Sequence, residues 1–310
     1  MRIAVIGAGS LGGLYGGQLA RHGYDVSFIA RGATLVALQN DGLTVKSGTV
    51  GDFTVAVNAT DDPSKVGHVD LIILATKTYD LEAAVAQMRP MVGPQTIVLT
   101  LQNGIDAASR VNGILNGDHA LTGVAYVNAA LEGPGVVRKI TAAVDFIVLG
   151  EPEGGRSQRA DDVAAVLGEA GIQTRTPDDV RVPMWEKFIL LSGTGGVLAL
   201  TRLPIGPIRE SKSMTELFFG AVREAVAVGR AKGIAMAPDI MEQHTRLVES
   251  LPPESRSSMM QDVTSGRRLE LEALNGAIVR LGREYGVPTP LNLAIYAGLE
   301  AYIAGAPTAA

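Results

Sequence analysis

The chain has 310 residues, 46% hydrophobic and 19% charged, with 27 basic and 32 acidic side chains and a formal net charge of −5. That length suffices for two domains, and the composition suits a globular chain with a sizeable core. An acidic chain without a basic cluster argues against a nucleic-acid partner. The absence of cysteine excludes disulfides, thiolate catalysis and cysteine metal sites, and fits a reducing, cytoplasmic compartment. The first apolar run breaks at Gly7, which is no signal peptide, and Phe188–Leu200 is too short and too glycine-rich to span a bilayer, so no membrane partner is expected.

The chain opens with a strand, Arg2–Ile6, then Gly7-Ala8-Gly9-Ser10-Leu11-Gly12, a small-residue helix to His22-Gly23, and a second strand running to Ala30. A strand, a GxGxxG turn, a helix and another strand form the fingerprint of a dinucleotide site. Gly7 permits the turn, Gly9 lets a pyrophosphate approach the backbone, and Gly12 lets the helix pack on the strand, while Ser10 and Leu11 bring N–H groups of the helix terminus to the phosphates. The second strand ends in Ile29-Ala30-Arg31-Gly32, with no acid to hold a ribose 2′-OH. Arg31 suits a 2′-phosphate instead, so the residues favour NADP(H) over NAD(H).

Residues 33–41 read as a helix, and Leu43–Lys46 and Phe53–Val57 as short strands, a candidate hairpin. Asp70–Ala75 and Thr96–Leu101 are apolar runs of the kind found in buried parallel strands, with a helix between them ending near Met88. Ligands of such sheets sit beyond the carboxyl ends of the strands, which places Lys77 and Asn103 near the cofactor. Leu121–Ala130, Val136–Thr141 and Asp145–Leu149 read as strands with glycine turns and no long helix between them, an antiparallel extension of the sheet. Ser157–Ala170 is a helix, Gly171–Arg175 a last strand, and Thr176-Pro177-Asp178-Asp179 a boundary. Beyond it the pattern is helical, with candidates at 178–199, 211–232, 238–250, 264–285 and 290–304, and a short Ala/Pro tail at 305–310. The expected fold class is therefore α/β, a Rossmann-type dinucleotide-binding domain over residues 1–176 with a partly antiparallel extension, followed by an all-helical domain over 177–310. The four histidines are scattered without a ligand pair, and each reads as a surface group; His22 ends a helix.

Gly7-x-Gly9-x-x-Gly12, Arg31, Thr76-Lys77, Gln102-Asn103-Gly104, Trp185-x-Lys187, Ser257-Ser258-Met259-Met260-Gln261-Asp262, and Glu270 followed by Asn275-Gly276 occur in one order over essentially the whole chain. In this the chain resembles the ketopantoate reductase family. The resemblance implies NADPH-dependent reduction of a 2-oxo acid at a cleft between a Rossmann-type and a helical domain, with no metal. It implies Arg31 as reader of the 2′-phosphate, and Lys77 and Asn103 as the residues that position nicotinamide ribose and substrate. It further implies Lys187 as general acid, Glu270 as the acid that holds the substrate and supports the lysine, and Ser258 as a ligand of the substrate carboxylate.

Plainer readings stand beside these: Lys187 as an ordinary helix charge, Glu270 as half of a solvated i,i+4 pair, Ser257 and Ser258 as the start of a helix, Asn103 as a turn. The chain also departs from the family. On the helix after Lys187 the family's asparagines face the substrate, and here Leu191 and Gly195 stand at those positions; a third aligns near Ile205. Loss of hydrogen-bonding partners favours a less polar or bulkier substrate. Three glycines within 193–196 each cost helix stability, about 1 kcal/mol relative to alanine, for which space beside a ligand and close helix packing are equal reasons. 2-Dehydropantoate is the leading substrate, another ketone or secondary alcohol the alternative, and an NADP(H) sensor without turnover a third reading. The apolar helices near 211–232 and 264–285 either pair two chains in a homodimer or line the core.

Overall fold

The computed structural model describes residues 1–140 and 145–307, so the last residue of the expected 136–141 strand and the last three of the tail lie outside the described residues. Two compact units emerge. The first comprises residues 1–102 and 106–181, the second residues 103–105 and 182–310.

The first unit contains strands β1 (Arg2–Ile6), β2 (Asp25–Ile29), β3 (Leu43–Ser47), β4 (Phe53–Val55), β5 (Asn58–Thr60), β6 (Val69–Leu74), β7 (Val92–Thr100), β8 (Ala120–Tyr126), β9 (Ala129–Gly133), β10 (Val136–Lys139), β11 (Phe146–Gly150) and β12 (Thr174–Arg175). Its helices are α1 (Ser10–Arg21), α2 (Gly32–Asn40), α3 (Leu81–Met88), α4 (Ala107–Leu115) and α5 (Gln158–Glu169). An eight-stranded sheet runs β12-β11-β8-β7-β6-β1-β2-β5. All its pairs are parallel except β8 with β11, where Gly150 faces Thr122 and Phe146 faces Tyr126. The central strands β1 and β6 are buried on both faces, which explains their apolar runs. In β1, Ile3 and Val5 join the core that includes α1, and Ala4 and Ile6 join the one that includes α3 and α4.

The expected strand over 121–130 is two strands. β8 stays in the main sheet, and β9 turns away to pair with β10 in a second, four-stranded sheet, β4-β3-β10-β9. The hairpin expected from residues 43–57 is present, with Leu43 opposite Val55, and β10 joins its other edge, Val136 opposite Thr44. Helix α1 lies between the two sheets. A Cβ on Gly16 would stand 2.7 Å from Phe28, on β2, and one on Gly13 would stand 2.6 Å from Val137, on β10. Its small residues serve two contact faces at once.

The second unit is helical: α6 (Arg181–Thr201), α7 (Ile205–Glu210), α8 (Lys212–Ala231), α9 (Ile240–Ser250), α10 (Ser258–Thr264), a π turn over Glu272–Gly276, α11 (Ala277–Glu284) and α12 (Pro290–Leu299). Trp185, Phe188, Phe218 and Ile278 lie at its centre. Sequence periodicity predicts one helix over 264–285, and here the structure differs. Helix α10 ends at Thr264, the chain runs without helix through Glu270, and the helix that follows begins with a π turn closed by Gly276 N–H to the Leu271 carbonyl at 2.9 Å. Leu269, Leu271 and Leu274 are apolar because all three are buried, not because they share one α-helical stripe. The expected helix over 290–304 likewise stops at Leu299 and continues as a single 3₁₀ turn. Among the described residues, no helix is long and apolar enough to cross a membrane.

Candidate functional site

In the first unit, β1 lies between β6 and β2, and the chain winds away from β1 in opposite directions on its two sides. This is a topological switch point, the place where open α/β sheets bind ligands beyond their carboxyl ends. The glycine turn occupies it. Gly7 has φ +96°, and a Cβ there would stand 2.7 Å from the backbone of Ala75 and Thr76, at the end of β6. Only glycine satisfies both demands. A Cβ on Gly12 would overlap the Gly7 carbonyl oxygen. Gly9 is the exception in the turn, since a Cβ there would meet nothing within 4 Å. Its backbone faces open space where the neighbouring glycines face protein. Ser10 and Leu11 begin α1, whose first turn holds no acidic side chain and whose cap residue, Gly9, supplies no side-chain oxygen. An anion at this terminus would find free N–H groups and the positive end of the helix dipole.

Arg31 is exposed at the end of β2 as the residue preceding α2, with extended φ of −138°. Lys77 is half-buried just past the end of β6, where it precedes a 3₁₀ turn. The residues at hand therefore fit a dinucleotide: an open backbone cradle at Gly9, an uncapped helix terminus, and a cation rather than an acid at the tip of β2.

In the second unit, Lys187 projects from the first half of α6, between the buried Trp185 and Phe188, which meet edge to face with centroids 5.3 Å apart. Burial lowers the ammonium pKa to about 8, and the nearby negative charge of Glu270 opposes that fall. Glu270 is 5% exposed, so the solvated-pair reading of this acid does not hold. The Asn103 side-chain amide donates to Glu270 Oε2 at 3.3 Å. Asn103 reaches it because residues 103–105 cluster with the second unit: a Cβ on Gly104, which has φ +95°, would stand 3.1 Å from the Ala273 carbonyl oxygen, and Ile105 packs on the helical core. An ammonium, a buried carboxylate and an amide donor, distant in sequence, thus belong to one unit.

Leu191 is half-buried one turn beyond Lys187. Gly195, two turns beyond, is buried, and a Cβ there would meet the side-chain ends of Leu274 at 3.3 Å and Met259 at 3.6 Å. Gly193 and Gly196 are packing glycines: their Cβ atoms would stand 2.9 Å from Phe218 and 2.7 Å from the Asn275 amide. Ile205 is fully buried at the start of α7 and belongs to the core. Ser258 is exposed in the first turn of α10, and Ser257 caps that helix by accepting from Met260 N–H at 3.1 Å.

One titratable group departs from the sequence expectation. His244 is not a surface residue; it is 5% exposed on α9. Burial lowers its pKa, and burial raises that of the half-buried Glu186. The spacing Ile240, His244, Val248 places this histidine on the buried stripe of α9, a signal that was present in the sequence.

A glycine turn at the switch point of a mainly parallel sheet is the arrangement of a dinucleotide-binding fold. The ketopantoate reductase PanE/ApbA family model matches residues 3–154, and the model of its C-terminal part matches residues 179–302. The chain is 31% identical to a 2-dehydropantoate 2-reductase of Halobacterium salinarum over 94% of this chain and 95% of the other. It superposes on a PanE/ApbA family ketopantoate reductase from Ralstonia eutropha JMP134 with a TM-score of 0.90 at 33% identity, covering 98% of each chain. A D-mandelate dehydrogenase solved with NADH and anilino(oxo)acetate shares the fold, with a TM-score of 0.89 at 24% identity over 98% of each chain. The chain belongs to the ketopantoate reductase family.

Proposed function

We propose that the protein reduces the carbonyl of a 2-oxo acid to the 2-hydroxy acid with NADPH, and that 2-dehydropantoate is its leading substrate. The observation that carries this reading is the second unit's triad: a lysine of lowered pKa, a buried glutamate acting on its charge, and an asparagine donating to that glutamate. Gly7, Gly9, Ser10, Leu11 and Gly12 hold the pyrophosphate, Arg31 pairs with the 2′-phosphate, and Lys77 and Asn103 orient the nicotinamide ribose and the substrate. NADPH supplies a hydride when bound. Negative charge then develops on the substrate oxygen, and Lys187 Nζ stabilises it and gives it a proton. Glu270 keeps Lys187 protonated and accepts a substrate hydroxyl, Asn103 holds Glu270 in place, and Ser258 takes the substrate carboxylate. A proton from solvent restores the ammonium. A pure sensor needs no such donor.

A second reading concerns the substrate alone. The Lys187 face of α6 continues into Leu191 and Gly195, and Leu274 and Met259 cover the glycine. That surface suits an apolar substituent, and a relative in fold is a D-mandelate dehydrogenase. Initial rates with NADPH and NADH on 2-dehydropantoate, a branched aliphatic 2-oxo acid and phenylglyoxylate separate the readings. Turnover with NADPH that is fastest on 2-dehydropantoate supports the first. Faster turnover on the apolar acids supports the second. No consumption of either nicotinamide with any 2-oxo acid defeats both.

A further inference from the structure

We propose that Asn275 is a positioning residue of this site, fixing the segment that bears Glu270 against the helix that bears Lys187. The inference rests on the reading of Lys187 and Glu270 as the proton-donating pair. Asn275 is fully buried in the π turn, five residues after Glu270. Its amide donates to the Ser192 carbonyl on α6 at 3.1 Å and to Asn292 Oδ1 on α12 at 3.0 Å. Ser192 lies five residues after Lys187. Asn292 in turn donates to the Ala221 carbonyl on α8 at 3.0 Å and to Glu224, whose carboxylate accepts the Leu291 and Asn292 backbone N–H groups that open α12. One buried amide therefore ties the π turn to α6 and α12 directly and to α8 through a single neighbour.

The amide is seated at a cost: its Oδ1 is buried and has no hydrogen-bond partner among the described residues, against which stand the two hydrogen bonds of its Nδ2. Gly196 shows how closely the amide is seated: a Cβ at that position would stand 2.7 Å from both Nδ2 and Oδ1. The helix thus carries a glycine where the amide presses on it. The π turn adds the second constraint. An i→i+5 turn carries one extra residue, which at 3.6 residues per turn rotates whatever precedes it by about 100° relative to α11. Glu270 directly precedes this turn, and its own carbonyl accepts the Ala273 N–H at 3.1 Å. The direction of the carboxylate is set by the turn, and the turn is held to α6 by Asn275.

The test reads the pKa of Lys187 directly, by competitive acylation of lysines across pH followed by peptide mass spectrometry, and needs no substrate. The wild type, Glu270→Gln, Asn275→Ala, Gly196→Ala and Gly193→Ala proteins are compared; Gly196→Ala displaces the amide without touching it chemically and serves if Asn275→Ala does not fold. Glu270 is the charge acting on Lys187, and the other titratable groups beside α6, Glu186 on that helix and His244 on α9, are the same in all five. The expected result is titration near pH 8 in the wild type. A fall of about one unit is expected in Glu270→Gln, Asn275→Ala and Gly196→Ala, because each removes or displaces the charge that holds the proton. Gly193→Ala, which presses on Phe218 and Val222, loses stability and leaves the titration unmoved. A shift in Glu270→Gln with none in Asn275→Ala and Gly196→Ala overturns the positioning role and leaves the pair intact. No shift in Glu270→Gln removes the pair and the positioning role with it.

Discussion

Helices α1 and α6 are both glycine-rich, and their glycines answer different demands. In α1, Gly12 and Gly16 face β1 and β2, and Gly13 and Gly17 face β3 and β10, so all four are filled contacts between a helix and two sheets. The helix leaves open only what lies at its beginning, at Gly9. In α6, Gly193 and Gly196 are filled contacts of the same kind, against α8 and against the π turn, while Gly195 meets only the ends of two flexible side chains. One helix is close-packed along its length and open at its tip; the other carries the proposed proton donor on its side, where Lys187, Leu191 and Gly195 follow one another at four-residue spacing. The lesson is that a glycine in a helix says nothing by itself. What a Cβ would touch decides whether the position serves packing or leaves a surface for something else.

The largest effect expected on either helix is that of Lys187→Ala. It lowers kcat for carbonyl reduction by about a hundredfold to ten-thousandfold, the usual contribution of a general acid, while NADPH binding followed by nicotinamide fluorescence is retained. Next comes Gly12→Val in α1. Its side chain collides with backbone rather than with a movable side chain, so denaturant unfolding shows a loss at or above about 3 kcal/mol and NADPH binding goes with it. Arg31→Ala removes a charge-assisted contact, weakening NADPH by about tenfold to a hundredfold in a fluorescence titration and leaving NADH unchanged. Smallest and sharpest is the pair within α6. Gly193→Ala overpacks Phe218 and costs about 1–3 kcal/mol. Gly195→Ala changes stability by no more than about 1 kcal/mol, because helix propensity gained offsets the contact with Leu274. Equal losses at 193 and 195 would erase the distinction between the two kinds of glycine.

Much of the fold was legible because its signals are local. The β1 turn, the apolar runs of β6 and β7, the β3–β4 hairpin and the helix expected from Ser157 are each written in one short stretch of sequence. The second sheet was not legible, because β3 and β10 pair across some ninety residues and neither strand announces its partner. The break between α10 and α11 was hidden because buried leucines in an irregular segment imitate a helical stripe, and a π turn has no compositional mark. The candidate site divides in the same way. Gly7, Gly9 and Gly12 carry their physical reasons in their spacing. Glu270 shares its stretch with Arg267, Arg268 and Glu272, which makes it read as solvated, and its burial follows from the course of the chain before the π turn. His244 reads as a surface group by residue type, although its helix positions place it on the buried stripe.

The proposed role of Lys187 as the acid is tested most directly by the pH dependence of kcat/KM for NADPH-dependent reduction of 2-dehydropantoate, or of whichever 2-oxo acid turns over fastest. Reduction needs the ammonium form, so the rate is level below the lysine pKa and is lost as pH rises through it. A profile that bends near pH 8 and then falls about tenfold per unit, with the bend absent from the residual activity of Lys187→Ala, is the predicted result. A profile that runs flat to about pH 10 in the wild type, or the same bend in Lys187→Ala, would contradict it.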